Sequence, residues 1–191
     1  MSDVVRVLYV DDEPDLLDIG KQFLEMSGQF SVETRTSAPE GFALLSEQAF
    51  DAIISDYLMP GMDGIGFLRM VRSSGNMIPF ILFTGRGREE VVIEAINNGA
   101  DFYLQKGGAP VAQLAELEHK IRQAVRQRRA EESLRTSEAR MRYMLGFYEM
   151  ARQPETELLA YAIEGAGAVT ASPLGYLAFL STDETELSMY A

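Results

Sequence analysis

Short apolar runs alternate with stretches of helical period along the first 110 residues of this chain of 191. Strands that are apolar throughout, such as 80–83, are typical of a parallel sheet covered by helices on both faces. The order predicts an α/β fold, a doubly wound parallel sheet of five strands with right-handed crossovers. The predicted strands are 4–10, 30–35, 52–54, 79–83 and 101–104.

Acidic side chains follow two of these strands. Asp11 and Asp12 come after the first, and Asp56 comes after the third, before a turn set by Pro60 and Gly61. Ligand sites in such sheets lie beyond the carboxyl ends of the strands, near the point where strand order reverses. We therefore expect the three carboxylates to come together at that edge. Two further polar side chains follow the fourth and fifth strands, namely Thr84 and Lys106.

Three carboxylates at one sheet edge suit Mg²⁺, a hard cation that prefers oxygen ligands. The predicted ligands are Asp12 directly, Asp11 through water, one oxygen of Asp56 and the backbone carbonyl of Leu58. Phosphoryl transfer depends on positioning and charge neutralisation, so a carboxylate facing a metal and the Lys106 ammonium is a sufficient active site. Asp56 is the predicted acceptor and would form an acyl phosphate.

These residues together closely resemble the receiver domain of two-component response regulators, over about residues 3–125. One departure is Gly107, which follows Lys106 where a Pro is usual in the family, so glycine flexibility replaces any cis-prolyl bend there. The residues that carry the likeness are Val10-Asp11-Asp12-Glu13-Pro14, Asp56, Met59-Pro60-Gly61-Met62-Asp63-Gly64, Thr84-Gly85, Tyr103 and Lys106.

The resemblance implies a flavodoxin-like fold with strand order 2-1-3-4-5 and a receiver domain over 1–125. It also implies that Lys106 pairs with the phosphoryl group, that Thr84 hydrogen-bonds one of its oxygens, and that Tyr103 moves inward as Thr84 shifts. The implied partner is a sensor histidine kinase or a phosphotransfer protein, which donates from a phospho-histidine. The output surface would be the fourth and fifth helices.

Composition restricts the other classes of function. The chain has no Cys, so a disulfide framework or a thiolate metal site is excluded, and a reducing compartment, the cytoplasm, is the expected location. The net charge of −12 argues against nucleic acid as a direct partner, because phosphate contacts need concentrated Lys and Arg. No apolar run approaches the roughly 20 residues that span a bilayer, so no membrane partner is expected.

A long helix is predicted from about 111 to 148, because no Gly or Pro interrupts this stretch before Gly146. We expect the region 111–150 to connect the two parts of the chain and to form a homodimer as a coiled coil. A solvated helix without a partner is the alternative. The expected apolar stripe consists of Leu117, Ala124, Leu134, Met141, Leu145 and Tyr148.

Residues 154–191 contain a helical stretch, 157–168, and two strand-like stretches, 174–180 and 186–190, that read as a hairpin. They resemble the opening of a GAF-type sensory domain, and a PAS-like module would look similar over so short a stretch. Some 38 residues are too few for a core of their own. The expectation is therefore a fragment of an α+β domain that continues beyond the chain.

The favoured function is a phosphorylation-dependent signalling module that relays the state of Asp56 through the long helix. It would not be an enzyme beyond its own phosphorylation and dephosphorylation. A Mg²⁺-dependent phosphohydrolase that acts through an aspartyl phosphate is the second hypothesis. A structural adaptor with an inert site is the third.

Overall fold

The structure is a computed structural model that describes residues 4–85, 89–150, 155–170, 177–180 and 187–190. It divides into two compact units, residues 1–129 and 130–191. The strands of the first unit are β1 (Val5–Val10), β2 (Phe30–Arg35), β3 (Ala52–Ser55), β4 (Phe80–Thr84) and β5 (Phe102–Gln105). Its helices are α1 (Pro14–Glu25), α2 (Ala38–Glu47), α3 (Gly64–Ser73), α4 (Glu89–Asn97) and the first part of α5 (Pro110–Met150).

The five strands form one parallel sheet in the order β2-β1-β3-β4-β5, as predicted. Every residue of β3 and β4 is buried, since helices cover both faces of the sheet. One apolar core contains Tyr9, Leu17 and Leu117 and lies on the side of α1 and α5. The other contains Leu44 and Phe67 and lies on the side of α2 and α3. The predicted doubly wound α/β fold is confirmed.

Helix α5 is continuous over Pro110–Met150, as the uninterrupted stretch predicts. Its apolar stripe is divided, however, which the sequence analysis missed. Leu117 and Ala124 are buried in the first unit, whereas Leu134 and Met141 are 61% and 66% exposed. The residues that pack on the sheet cannot also form a seam with another copy. Apart from Val111 at the start of the helix, the exposed large apolar side chains of α5 all lie beyond residue 129.

The second unit contains the rest of α5, helix α6 (Glu155–Thr170) and an antiparallel pair of strands, β6 (Leu177–Leu180) and β7 (Leu187–Tyr190). The predicted helix and hairpin strands are thus present, while the turn predicted between the strands lies outside the described residues. Tyr143 of α5 stacks on Tyr161 of α6 with ring centroids 5.5 Å apart. The Tyr143 hydroxyl donates to the Ala162 carbonyl at 2.9 Å. Within the described residues, no helix is both long and apolar enough to cross a bilayer.

Candidate functional site: the acidic edge of the parallel sheet

The sheet holds two acidic residues at its carboxyl edge, where strand order reverses between β1 and β3. The backbone amide of Asp11 donates to the Arg35 carbonyl at 3.1 Å, and that of Asp56 donates to the Val10 carbonyl at 2.8 Å. Both residues therefore continue the sheet hydrogen bonding by one step past their strands. This fixes the two carboxylates on neighbouring strands at the same edge.

Lys106 joins the two carboxylates. Its Nζ lies 2.6 Å from Oδ2 of Asp11 and 3.0 Å from Oδ1 of Asp56. The Lys106 amide also donates to the Thr84 carbonyl at 2.7 Å, which ties the end of β5 to the end of β4. Thr84 is buried at 1% exposure. The loop that follows contains Gly108 at φ +95°, a left-handed conformation that favours glycine.

The second oxygen of Asp56 is held from its own loop. Its Oδ2 accepts a hydrogen bond from the Leu58 amide at 2.7 Å. Gly64 closes the loop, because its amide donates to the Tyr57 carbonyl at 2.9 Å. A Cβ on Gly64 would clash with the Asp56 carbonyl oxygen, so a larger residue would displace the strand end. Asp56 is thus fixed at both carboxylate oxygens and at its backbone.

Burial and ion pairing oppose each other at this site. Asp11 is 0% exposed, and desolvation raises its pKa despite the hydrogen bond and positive charge of Lys106, which lower it. Burial alone would lower the pKa of Lys106, but its hydrogen bonds and charge interactions with Asp11 and Asp56 raise that pKa overall. The cluster contains two acidic side chains and one ammonium group, so it has one more acidic than basic group. Such a site favours a further cation.

The structure brings together Asp11, Asp56 and Lys106, with Thr84 on the adjacent strand end. Asp12 follows Asp11 but is exposed, and no group of three His, Cys, Asp or Glu in the described chain has the arrangement of a metal site. Leu58 contacts Asp56 through its amide, so the role of its carbonyl as a metal ligand stays a prediction. These findings leave the predicted ligand set untested.

Tyr103, the predicted switch residue, lies on β5 with its ring packed against the core that contains Phe67. Its hydroxyl is buried and has no hydrogen-bond partner within the part of the chain described. Desolvation raises its pKa, and the negative charge of Asp56 raises it further. The ring is therefore within the electrostatic influence of the acceptor carboxylate.

Sequence reasoning missed Tyr9, which is 1% exposed and is the last residue but one of β1. Burial raises the pKa of its phenol well above the usual value, and the charge of Asp11 and a hydrogen bond to it add to this. The available signal was an aromatic hydroxyl within a mainly aliphatic strand, two residues before Asp11. The alternation of side chains along a strand places both on the same face of the sheet.

Comparison with known proteins agrees with this geometry. The family model described as "Response regulator receiver domain" matches residues 7–122. The C4-dicarboxylate transport transcriptional regulatory protein DctD of Rhizobium meliloti is 38% identical over 106 residues, which are 56% of this chain and 23% of that protein. The response regulator SaeR of Staphylococcus aureus is 35% identical over 107 residues, covering 56% of this chain and 46% of its own length. The chain thus spans about a quarter to a half of these relatives.

Among solved structures, a response regulator receiver domain protein from Clostridium thermocellum superposes with a TM-score of 0.60 at 29% identity. The match covers 66% of this chain and 98% of that one. The family match and the structural match agree with the observed strand order and with the cluster of Asp11, Asp56 and Lys106 at the sheet edge. The chain therefore belongs to the response regulator receiver domain family of two-component systems, whose members accept a phosphoryl group on an aspartate.

Proposed function

We propose that Asp56 accepts a phosphoryl group from a phospho-histidine of a sensor histidine kinase or phosphotransfer protein, in a reaction that needs Mg²⁺. The observation that carries this proposal is that two contacts fix the Asp56 carboxylate. It lies 2.7 Å from the Leu58 amide nitrogen and 3.0 Å from Lys106 Nζ. A nucleophile fixed in this way needs little reorganisation when a phosphorus atom approaches.

In the transfer, a carboxylate oxygen of Asp56 attacks phosphorus, the new P–O bond forms, and the P–N bond to the donor imidazole breaks. The imidazole keeps the electron pair of that bond and takes a proton from solvent. Lys106, already 3.0 Å from Asp56, is placed to neutralise the phosphoryl oxygens. The Thr84 hydroxyl would donate to one of them, since Thr84 ends the strand beside β3.

The donor set fits Mg²⁺. Asp11 and Asp56 supply buried carboxylate oxygens and Asp12 an exposed one, and oxygen ligands are what a hard divalent cation prefers. Asp12, Asp11, one oxygen of Asp56 and the Leu58 carbonyl would hold the ion, Asp11 through water. When bound, Mg²⁺ supplies positive charge to the transferred phosphoryl group.

The relay would begin at Thr84. We propose that Thr84 turns toward the phosphoryl group and that Tyr103, packed beside the core of α3, adjusts to the space left. The readout surface would be α4 and the first part of α5. Ile93 and Ile96 of α4 are 60% and 62% exposed and so are available to a protein partner.

The second part of α5 would form a homodimer. Leu134, Met141 and Tyr148 are spaced by seven residues, and Met144 falls at the intermediate heptad position. All four side chains are at least 60% exposed. We further propose that residues 154–191 begin a GAF-like or PAS-like sensory domain, supported by helix α6 and the β6–β7 hairpin.

Intact-protein mass spectrometry with Mg²⁺ and acetyl phosphate tests the proposed acceptor. The wild type should gain one phosphoryl group, the Asp56→Asn variant none, and the Asp18→Asn variant the same as wild type, because Asp18 is an exposed carboxylate of α1. Labelling that survives Asp56→Asn would refute the proposal. Continuous turnover of phosphate esters, rather than one cycle of labelling and decay, would support a phosphohydrolase.

A further inference from the structure

A cavity of about 320 Å³ lies between α1 and α5, on the opposite face of the sheet from α3. Its walls include Leu16 and Ile19 of α1, Phe83 of β4 and Leu114 of α5. Phe83 and Leu114 are buried, whereas Ile19 is 54% exposed and stands where solvent can enter. The volume falls within the range of small-molecule sites, and the lining is mainly apolar, as such sites usually are.

One polar group in this lining has no hydrogen-bond partner within the described chain. Gln113 lines the cavity, and its Nε2 is buried without a hydrogen-bond partner within the described chain. A buried amide donor without an acceptor costs free energy, and such groups are uncommon in folded proteins. A water molecule would need two or more further polar partners, which a mainly apolar lining supplies poorly. An acceptor carried by an apolar ligand satisfies the donor and fills the remaining space.

The charge of that ligand follows from Lys106, which also lines the cavity. Its Nζ is committed to Asp11 and Asp56 at 2.6 and 3.0 Å, so it offers the cavity mainly its aliphatic stem. An anion would meet no uncommitted cation among these lining groups and would approach the Asp11 carboxylate. A neutral ligand avoids that repulsion.

We propose that the cavity between α1 and α5 binds a small, neutral and mainly apolar molecule whose carbonyl oxygen accepts a hydrogen bond from Gln113 Nε2. Binding is independent of the phosphorylation proposed above. One consequence does rest on the proposed phosphorylation. A ligand in contact with Phe83 and the Lys106 stem would alter the rate at which Asp56 is phosphorylated, because Lys106 Nζ lies 5.6 Å from the Phe83 ring centroid.

Two probes of nearly the same shape test the hydrogen bond, namely acetophenone, which has a carbonyl oxygen, and cumene, which has a methyl group in its place. Each is titrated into the unphosphorylated chain without Mg²⁺, and backbone amide resonances are followed by NMR. We expect shifts centred on Gly20, Gly107 and Leu114 for both probes. Gln113→Leu, which keeps the approximate size but removes the donor, should weaken acetophenone binding about fivefold to tenfold and leave cumene binding little changed.

A pair of tryptophan variants tests the location. Ile19→Trp places a large ring at the exposed side of the cavity and should abolish the acetophenone shifts. Ile96→Trp makes the same change at a comparably exposed site on α4 and should leave them intact. Unchanged acetophenone binding in Gln113→Leu would overturn the proposal, as would an equal weakening of both probes in that variant or undiminished acetophenone binding to Ile19→Trp. Because no phosphoryl donor is present, these results are distinguishable from a failure of Asp56 labelling.

Discussion

Two regions of this molecule depart from the usual distribution of side chains in opposite ways. At the sheet edge, charged groups are buried, with Asp11 at 0% and Asp56 at 6% exposure. On the second part of α5, apolar groups are exposed, with Leu134 at 61% and Tyr148 at 80%. Buried charges and contiguous exposed apolar side chains are both unfavourable unless something compensates them. We interpret each as a place where another species binds, a cation with a phosphoryl group at the first and a second copy at the second.

The largest expected effect at the buried end comes from removing the Lys106 ammonium, which contacts both Asp11 and Asp56. Lys106→Met keeps the aliphatic stem but leaves Asp11 buried without its cation. We expect unfolding free energy at pH 7 to fall by about 3 to 5 kcal/mol, the usual cost of breaking a buried pair. Urea unfolding measures this, with Lys21→Met as the control in the same unit.

The pH dependence of that loss checks its cause. Asp11 has a pKa raised by burial, so in the folded variant it takes up a proton before an ordinary Asp does as the pH falls. The destabilisation should therefore shrink on acidification toward pH 5. A loss that stays constant between pH 7 and 5 would show that packing, not charge, is responsible.

At the exposed end, Leu134→Glu combined with Met141→Glu places like charges in the proposed seam. The dissociation constant of the dimer should rise at least about 100-fold, because each copy loses two apolar contacts and gains repulsion. Sedimentation equilibrium measures it. Thr136→Glu with Ala139→Glu, exposed residues outside the a and d positions of the same heptads, should leave the dimer intact. A wild-type chain that is monomeric at high concentration would contradict the proposed seam.

A smaller effect of opposite sign is expected for Asp11→Asn. Asparagine mimics the protonated side chain, so the variant removes the excess negative charge while Asp56 keeps Lys106 as partner. The unfolding free energy at pH 7 should rise, because the neutral amide avoids the desolvation that raises the pKa of the Asp11 carboxyl.

The pH dependence of the stabilisation by Asp11→Asn follows from the raised pKa of Asp11. The raised pKa of Asp11 means that the wild type regains stability as the pH falls through that pKa, so the gain from Asn should diminish there. In addition, Mg²⁺ should raise the melting temperature of the wild type more than that of the variant. A variant less stable than wild type at pH 7 would show that the carboxylate stabilises the fold.

Much of the site was predictable because parallel sheets obey a simple rule. Lys106 and Asp11 are 95 residues apart, yet both follow strands whose carboxyl ends share one edge. The position of Tyr9 against Gly20 of α1 and the unpartnered amide of Gln113 were not predictable. Both depend on how helices pack on the sheet, which periodicity does not specify. For the same reason one apolar stripe on α5 was expected where the structure divides it.

The most direct test of the acceptor is to trap the acyl phosphate chemically. After labelling with acetyl phosphate and Mg²⁺, borohydride reduces an aspartyl phosphate to homoserine, and peptide sequencing by mass spectrometry locates it. We predict homoserine at position 56, with Asp11 and Asp12 unmodified, because Asp56 alone has its carboxylate held by both the Leu58 amide and Lys106. Homoserine at position 11 or 12, or no homoserine at any of positions 11, 12 and 56, would contradict the assignment of Asp56.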